Sequence, residues 1–312
     1  MADDLLTISD FVADAFDLSP RQVTDLSLAA PLVMAAPMEP SSNGTTHKYA
    51  KETGAPVVGF RAENAGREFD SSVDTVVSID LKILDFSWMV DKAVADAWRR
   101  GGPKSLIARE GFRHLKSAFF EYEKQIIYGT GNSAAGFAGL AHNALFDALA
   151  DVLHVVNAAG TTASTGSSVW LCTLAPEAMA GVMIEESPME LGETIVQNFV
   201  DGTGKHLPVY YTPGCSWTGL QIGGVFDVVR IANLTADSGK GLTDALIYEA
   251  LALFPGDRKP THIVMNRRSK KQLRASRTAT NATGAPAPIP EDVDGIPILT
   301  TEAILNTETL LA

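Results

Sequence analysis

The side chains that most often do chemistry are present in this chain but scattered. Six histidines stand at 47, 114, 142, 154, 206 and 262, and no two sit at the short spacing that lets imidazoles share a metal ion. Cys172 and Cys215 are the only cysteines, too few for a disulfide framework or a four-thiolate site. Cys172 lies in the apolar run 169–174 and reads as a small buried hydrophobe. The string Gly214-Cys215-Ser216-Trp217-Thr218-Gly219 is one residue too long for a nucleophile elbow and reads as a turn. Gly202-Thr203-Gly204-Lys205-His206 lacks both the spacing and the closing hydroxyl of a phosphate-binding loop. Gly129-Thr130-Gly131 follows a helical pattern rather than a strand, so it is no dinucleotide fingerprint. The carboxylates Glu185, Glu186 and Glu190 read as a solvated loop, and the sequons at Asn43, Asn233 and Asn281 carry meaning only in a secreted protein. No catalytic, cofactor-binding or metal-ligating set emerges, and the expectation is a protein that is not an enzyme and needs no cofactor.

With chemistry set aside, the bulk properties narrow the class. The chain has 312 residues, 46% hydrophobic and 20% charged, which suits a folded globular protein. No apolar run approaches the ~18 to 20 residues that span a bilayer, and the start Met1-Ala2-Asp3-Asp4 does not resemble a secretory signal. A soluble product made in a cytoplasm is expected. The net charge of −12 is uneven: residues 1–45 hold seven acids and one base, whereas 257–278 holds eight bases and one acid. Tight nucleic-acid binders show a net basic domain, so overall acidity argues for weak nonspecific contact at most. The cluster Arg267, Arg268, Lys270, Lys271, Arg274 and Arg277 reads as a solvated helix face or a subunit contact.

The elements follow from periodicity. Short helical stretches are expected near 10–16 and from Ser19-Pro20, with Pro31, Pro37 and Pro40 breaking regular structure. Residues 77–83 alternate strictly and read as a strand whose partner is 45–51, leaving a connection of some 20 residues, far beyond an ordinary hairpin loop. That connection carries Arg61, Glu63, Arg67, Glu68 and Asp70, and it reads either as a solvated loop or as an arm that docks on a neighbouring subunit through apolar contacts and ion pairs. Val90, Val94, Ala97 and Trp98 mark a short helix that ends before Gly101-Gly102. From Pro103 to about Tyr128 apolar residues fall at 112, 115, 119, 122 and 126, with Arg109, Glu110, Arg113, Lys116, Glu123 and Lys124 assigned to the opposite, polar face. At 1.5 Å per residue that helix is about 39 Å long. Strands are expected at 168–174, 207–211, 220–234 and 262–265. Helices are expected at 175–177, 242–253 and 267–277, the last capped by Asn266. Residues 295–299 read as a final edge strand, since Pro297 fits poorly in a central one.

The order of these elements resembles the major capsid proteins of tailed bacteriophages, the Hong Kong 97 type of shell subunit. The resemblance is carried by Glu123-Lys124-Gln125-Ile126-Ile127-Tyr128-Gly129-Thr130-Gly131, by Ala135-Gly136-Phe137-Ala138-Gly139-Leu140, and by 57–64, 226–233 and 265–268, over about residues 45–305. It implies an α+β fold with five parts: an N-terminal arm (1–45), an extended loop hairpin (46–88), a spine helix with part of a peripheral lobe (89–144), an axial lobe (145–255) and a return to the peripheral lobe (256–312). It further implies an icosahedral shell of hexamers and pentamers around double-stranded DNA, assembled in the bacterial host cytoplasm and residing in the virion. Its implied partners are further copies of itself, a scaffolding protein, a portal and an optional decoration protein, with no membrane. Lys48 and Lys51 join the five loop charges as expected interface residues, and Gly101 and Gly102 as an expected hinge. The arm is too short for the cleaved scaffolding segment of some relatives. Some relatives also crosslink a loop lysine to an asparagine; Lys48 or Lys51 with Asn266 or Asn281 supply the residue types, with no matching motif. Two other readings stay open: an encapsulin-type nanocompartment shell, and an α/β enzyme whose site forms no linear motif.

Overall fold

A computed structural model describes residues 25, 28–54, 56–99, 101–185, 189–256, 258–279, 281 and 285–312. The helices expected near 10–16 and 19–20 lie outside these residues. The first described element is a short helix, α1 (Pro31–Ala35), followed by strand β1 (Met38–Pro40). Ala30, Leu32, Val33 and Ala36 are all at most 1% exposed, so this part of the expected arm is core of its own subunit. These buried residues outweigh the proline punctuation, because burying a Leu or Val side chain such as Leu32 or Val33 contributes about 1.5–3 kcal/mol each.

Next comes the hairpin of β2 (Thr46–Gly54) and β3 (Val73–Asp80), paired antiparallel from Thr46 opposite Asp80 outward. The expected single strand 77–83 breaks at Leu81, which is 2% exposed, and resumes as β4 (Lys82–Asp85) in another sheet. Val90, expected on the face of a helix, lies in strand β5 (Trp88–Asp91); the helix α2 (Lys92–Asp96) buries Ala95 and leaves Val94 out in solvent. Asp91 caps it, accepting from the Ala93 N–H at 2.8 Å.

The long helix α3 (Gly102–Tyr128) spans 27 residues. Leu115, Phe119, Tyr122 and Ile126 are buried along it as their spacing predicts. One assignment is overturned: Glu123, placed on the polar face, is 0% exposed.

The remaining strands are β6 (Val155–Asn157), β7 (Ser167–Cys172), β8 (Met179–Met183), β9 (Ile195–Val200), β10 (His206–Thr212), β11 (Cys215–Ile222), β12 (Val228–Leu234), β13 (His262–Met265), β14 (Asp292–Val293) and β15 (Ile296–Thr300), with helices α4 (Asp244–Leu251) and α5 (Arg267–Ala279). Residues 175–177 form a turn into β8 rather than the expected helix, with Ala178 N–H donating to the Ala175 carbonyl. A six-stranded sheet runs β14-β15-β13-β7-β12-β6. Pro297 lies in β15 as foreseen, but the two-residue β14 is the outer strand. The expected division at 255/256 passes through this sheet, since β13 and β15 sit in line with β7 and β12, so the two segments share one core. Strand alternation builds that core on both faces. Trp170, Cys172, Val228 and Val264 face the layer of α3. Val169, Leu171, Val229, Ile231, Ile263 and Met265 face Ile247, Ala250 and Leu273 of α4 and α5. Burial on both faces explains why β7 and β12 read as continuous apolar runs. Two smaller sheets, β1-β8-β11-β4 and β5-β10-β9, complete the body.

Candidate functional site

The hairpin β2-β3 is fastened at its base and bare at its tip. His47 is 7% exposed; its Nδ1 accepts from Ser42 N–H at 3.2 Å, leaving Nε2 as the donor to Gln221 Oε1 at 2.7 Å. Gln221 in turn donates to the Pro176 carbonyl at 2.9 Å. Lys51 is half-buried, and its charge acts on Asp227 and His154 of the body, whereas Lys48 is exposed. Beyond the base, residues 56–72 form no helix or strand.

Three of the five loop charges bond within the loop. Arg61 donates to the Ala65 carbonyl at 3.0 Å, Arg67 to the Val57 carbonyl, and Asp70 accepts from Val57 and Ser71 N–H at 2.8 and 2.9 Å. Glu63 and Glu68 have no bonded partner among the described residues. Arg61, Arg67 and Asp70 therefore shape the loop. The outward-facing features are apolar: Val57, Val58, Phe60 and Phe69 are 70%, 81%, 109% and 101% exposed. Large apolar side chains exposed together on one loop are the kind of surface that contacts use.

Gly101 and Gly102, the expected hinge, have φ of +90° and +72°. Two successive left-handed residues turn the chain sharply between α2 and α3, a path that favours glycine. A Cβ on Gly101 would stand 2.9 Å from Ser105 Cβ, so that position is closed to side chains by contact as well.

The other candidates resolve into structure. On α5, Arg277 makes two bonds to Asp244, at 2.9 and 2.7 Å; Arg268 reaches the Thr165 and Leu234 carbonyls; Arg274 reaches the Ala287 carbonyl; Arg267 pairs with Glu302. Most of the basic cluster is thus engaged within the subunit. Asn266 is 2% exposed. It accepts from Ser269 N–H at 2.9 Å as the helix cap, and donates to Ser167 and Asn306, which removes it from reach of a crosslinking lysine. Asn281 donates to the Ala285 carbonyl at 3.0 Å. Burial pushes the Cys172 thiol up to about 12, the opposite of an activated nucleophile.

An open cavity of about 590 Å³ lies at the end of α3, lined in part by Lys124, His142, Asp147, Arg230 and Glu308. Its buried charges are already satisfied. Arg230 donates to Ser168, to the Phe146 carbonyl and to Glu308, at 3.0, 2.9 and 3.3 Å, and stacks over Trp170 at 4.9 Å. Glu308 also accepts from Tyr128 and Ser168 at 2.6 and 2.5 Å. This cluster binds the C-terminal residues to α3 and β12. Among the described residues no group of three or more His, Cys, Asp or Glu is placed to hold a metal ion, and no helix is long and apolar enough to cross a membrane.

The sequence model of the family described as Major capsid protein GP7 matches residues 22–312. No curated protein matches the chain. Among solved structures, that of bacteriophage Epsilon15 is similar with a TM-score of 0.67 and 22% identity, over 88% of this chain and 87% of the other. The capsid of bacteriophage JBD30 decorated with minor capsid protein trimers is similar with a TM-score of 0.50 and 14% identity, over 86% and 88%.

Proposed function

The chain belongs to the major capsid protein GP7 family, and we propose that in the phage shell it forms it works as the repeating unit of icosahedral hexamers and pentamers, each copy laying its 46–80 hairpin on a neighbour. It is a structural protein of the virion rather than an enzyme. The six-stranded sheet with α4 and α5 serves as the axial lobe, and α3 with the smaller sheets as the peripheral lobe. This reading lets β13, α5 and β15 join the axial lobe instead of returning to the peripheral one. Gly101-Gly102 is the hinge that lets one chain fit positions of different curvature.

One observation carries the docking role: a ribbon with no core of its own holds Val57, Val58, Phe60 and Phe69 in solvent. An isolated two-stranded ribbon is marginal in water, and covering both phenylalanines at a contact contributes about 1.5–3 kcal/mol each. Arg61, Arg67 and Asp70 keep the loop in its docking shape, while Glu63 and Glu68 face the neighbour with negative charge. The decorated JBD30 capsid supports a decoration protein as a further partner here. A scaffolding protein and a portal complete the expected set, with DNA held inside through weak contact.

The test is Phe60→Ser with Phe69→Ser. Subunit melting should stay within about 0.5 kcal/mol, as for exposed sites, while shells seen by electron microscopy and light scattering are lost or dissociate at lower urea. Shells of unchanged urea resistance would remove the loop from the contact.

A further inference from the structure

Glu123 is a carboxyl in the middle of an apolar stripe of α3. It lies four residues after Phe119 and three before Ile126, both 0% exposed, and is itself 0% exposed. Its Oε2 accepts from Leu32 N–H at 2.9 Å and from Val33 N–H at 3.3 Å, the open amides of α1. Its Oε1 accepts from the Thr301 hydroxyl, which also receives the Ala303 N–H at 2.9 Å. One carboxyl therefore joins three segments distant in the chain: the strap 30–40, the long helix and the turn after β15.

Among the described residues no cation pairs with it. Helix α1 and strand β15 carry no charged residue, and the one charge of the 30–40 strap, Glu39, is an acid. In the turn after β15, Glu302 faces outward to Arg267. On α3 itself, Glu121 accepts from Asn132 at 2.6 Å, Lys124 lines the open cavity, and Tyr122 donates to the Gly219 carbonyl at 2.9 Å. A carboxylate closed off from water without a counter-charge is costly. Burial accordingly raises Glu123 to about 7, against the lowering effect of its three hydrogen bonds.

We propose that Glu123 is a proton-operated latch: its neutral form holds the 30–40 strap against the long helix, and its ionised form loosens it. A neutral carboxyl keeps every bond. Its carbonyl oxygen accepts the two strap amides, and its hydroxyl donates to Thr301 Oγ1, reversing that one bond. Strap release admits water, and the hydrated carboxyl returns toward its ordinary value. The docked strap then binds the proton more tightly than the released one, so raising the pH favours release. The effect starts near pH 4.5 and saturates above about 7, at up to roughly tenfold per pH unit between. The latch belongs to the single subunit and stands apart from how copies assemble.

Hydrogen exchange of the dissociated subunit from pH 4.5 to 8.5, with each rate divided by the intrinsic exchange rate at that pH, reads the latch directly. Protection of residues 32–36 should fall at least tenfold between pH 5 and 7 and then level off, while β7 and β12 amides hold steady. Glu123→Gln imitates the neutral form, since its amide group donates to Thr301 and its carbonyl accepts the strap, and it should keep the strap protected at every pH. Corrected protection that is flat with pH in the unaltered chain would overturn the latch, as would an unchanged slope in the Gln variant. The curve of the unaltered chain decides the matter even if that variant does not fold.

Discussion

Replacing Arg230 by methionine tests the cluster that ties residues 301–312 to the body. The Arg230 and Glu308 side chains are 5% and 8% exposed, so neither is screened by solvent. The variant loses one charge-assisted bond to Glu308, worth about 1.5–3 kcal/mol, and bonds to Ser168 and the Phe146 carbonyl, worth about 1 kcal/mol each. It also loses the guanidinium stacked on Trp170, worth about 1 kcal/mol. Methionine recovers part of this through its apolar stem. The net cost should be about 4 kcal/mol, within the usual 3–5 kcal/mol for breaking one side of a buried pair. Urea unfolding followed by tryptophan fluorescence would report it, with Trp170 in the cluster itself. Arg230→Met combined with Glu308→Gln should cost less than the two single changes added together, by about 1.5 kcal/mol or more, because the neutral amide no longer sits as an unpaired buried charge. A single-variant cost under about 1 kcal/mol, or strict additivity in the pair, would refute the assignment of this cluster as the clasp.

Two further outcomes separate packing from backbone constraint. Phe119→Ala, at a position 0% exposed in the centre of α3, should cost about 3–5 kcal/mol by urea unfolding; a cost near 1 kcal/mol would mean the helix face can collapse around the hole. Gly129 and Gly44 have nearly the same φ, +53° and +56°, but a Cβ at Gly129 would lie 2.1 Å from the Gly139 nitrogen while one at Gly44 meets nothing. Gly44→Ala should therefore cost about 1 kcal/mol, and Gly129→Ala several times more, read as lost soluble yield or a depressed melting temperature. Equal effects would show that φ alone matters at both.

Much of this fold is legible because local periodicity mirrors burial. The 3 and 4 spacing from Phe112 to Ile126 placed the long helix to within a residue or so, and the side-chain cap of Asn266 placed α5. Legibility failed where partners are remote. Residues 30–40 read as an arm because three prolines interrupt them, yet the body supplies the pairing that prolines deny: β1 lies parallel to β8, Met38 opposite Gly181. The helix expected at 175 failed for a related reason, since β8 gains its bonds from β11 and β1 rather than from its own neighbours in sequence.

By itself the sequence determined the elements whose stabilising contacts recur every two, three or four residues, and the absence of spacings that chemistry requires. It also determined that the chain has extended parts and an acidic balance. Only tertiary structure decided which charges remain available. Glu123 sits beside Phe119 and Ile126 on the same stripe, but its burial depends on Leu32, 91 residues away. Arg61, Arg67 and Asp70 read as loop charges in the sequence, and the folded loop is what brings them onto its own backbone. A charged residue's role depends on where its hydrogen-bond partners come to lie, and loop closure over tens of residues brings them there with no trace in local spacing.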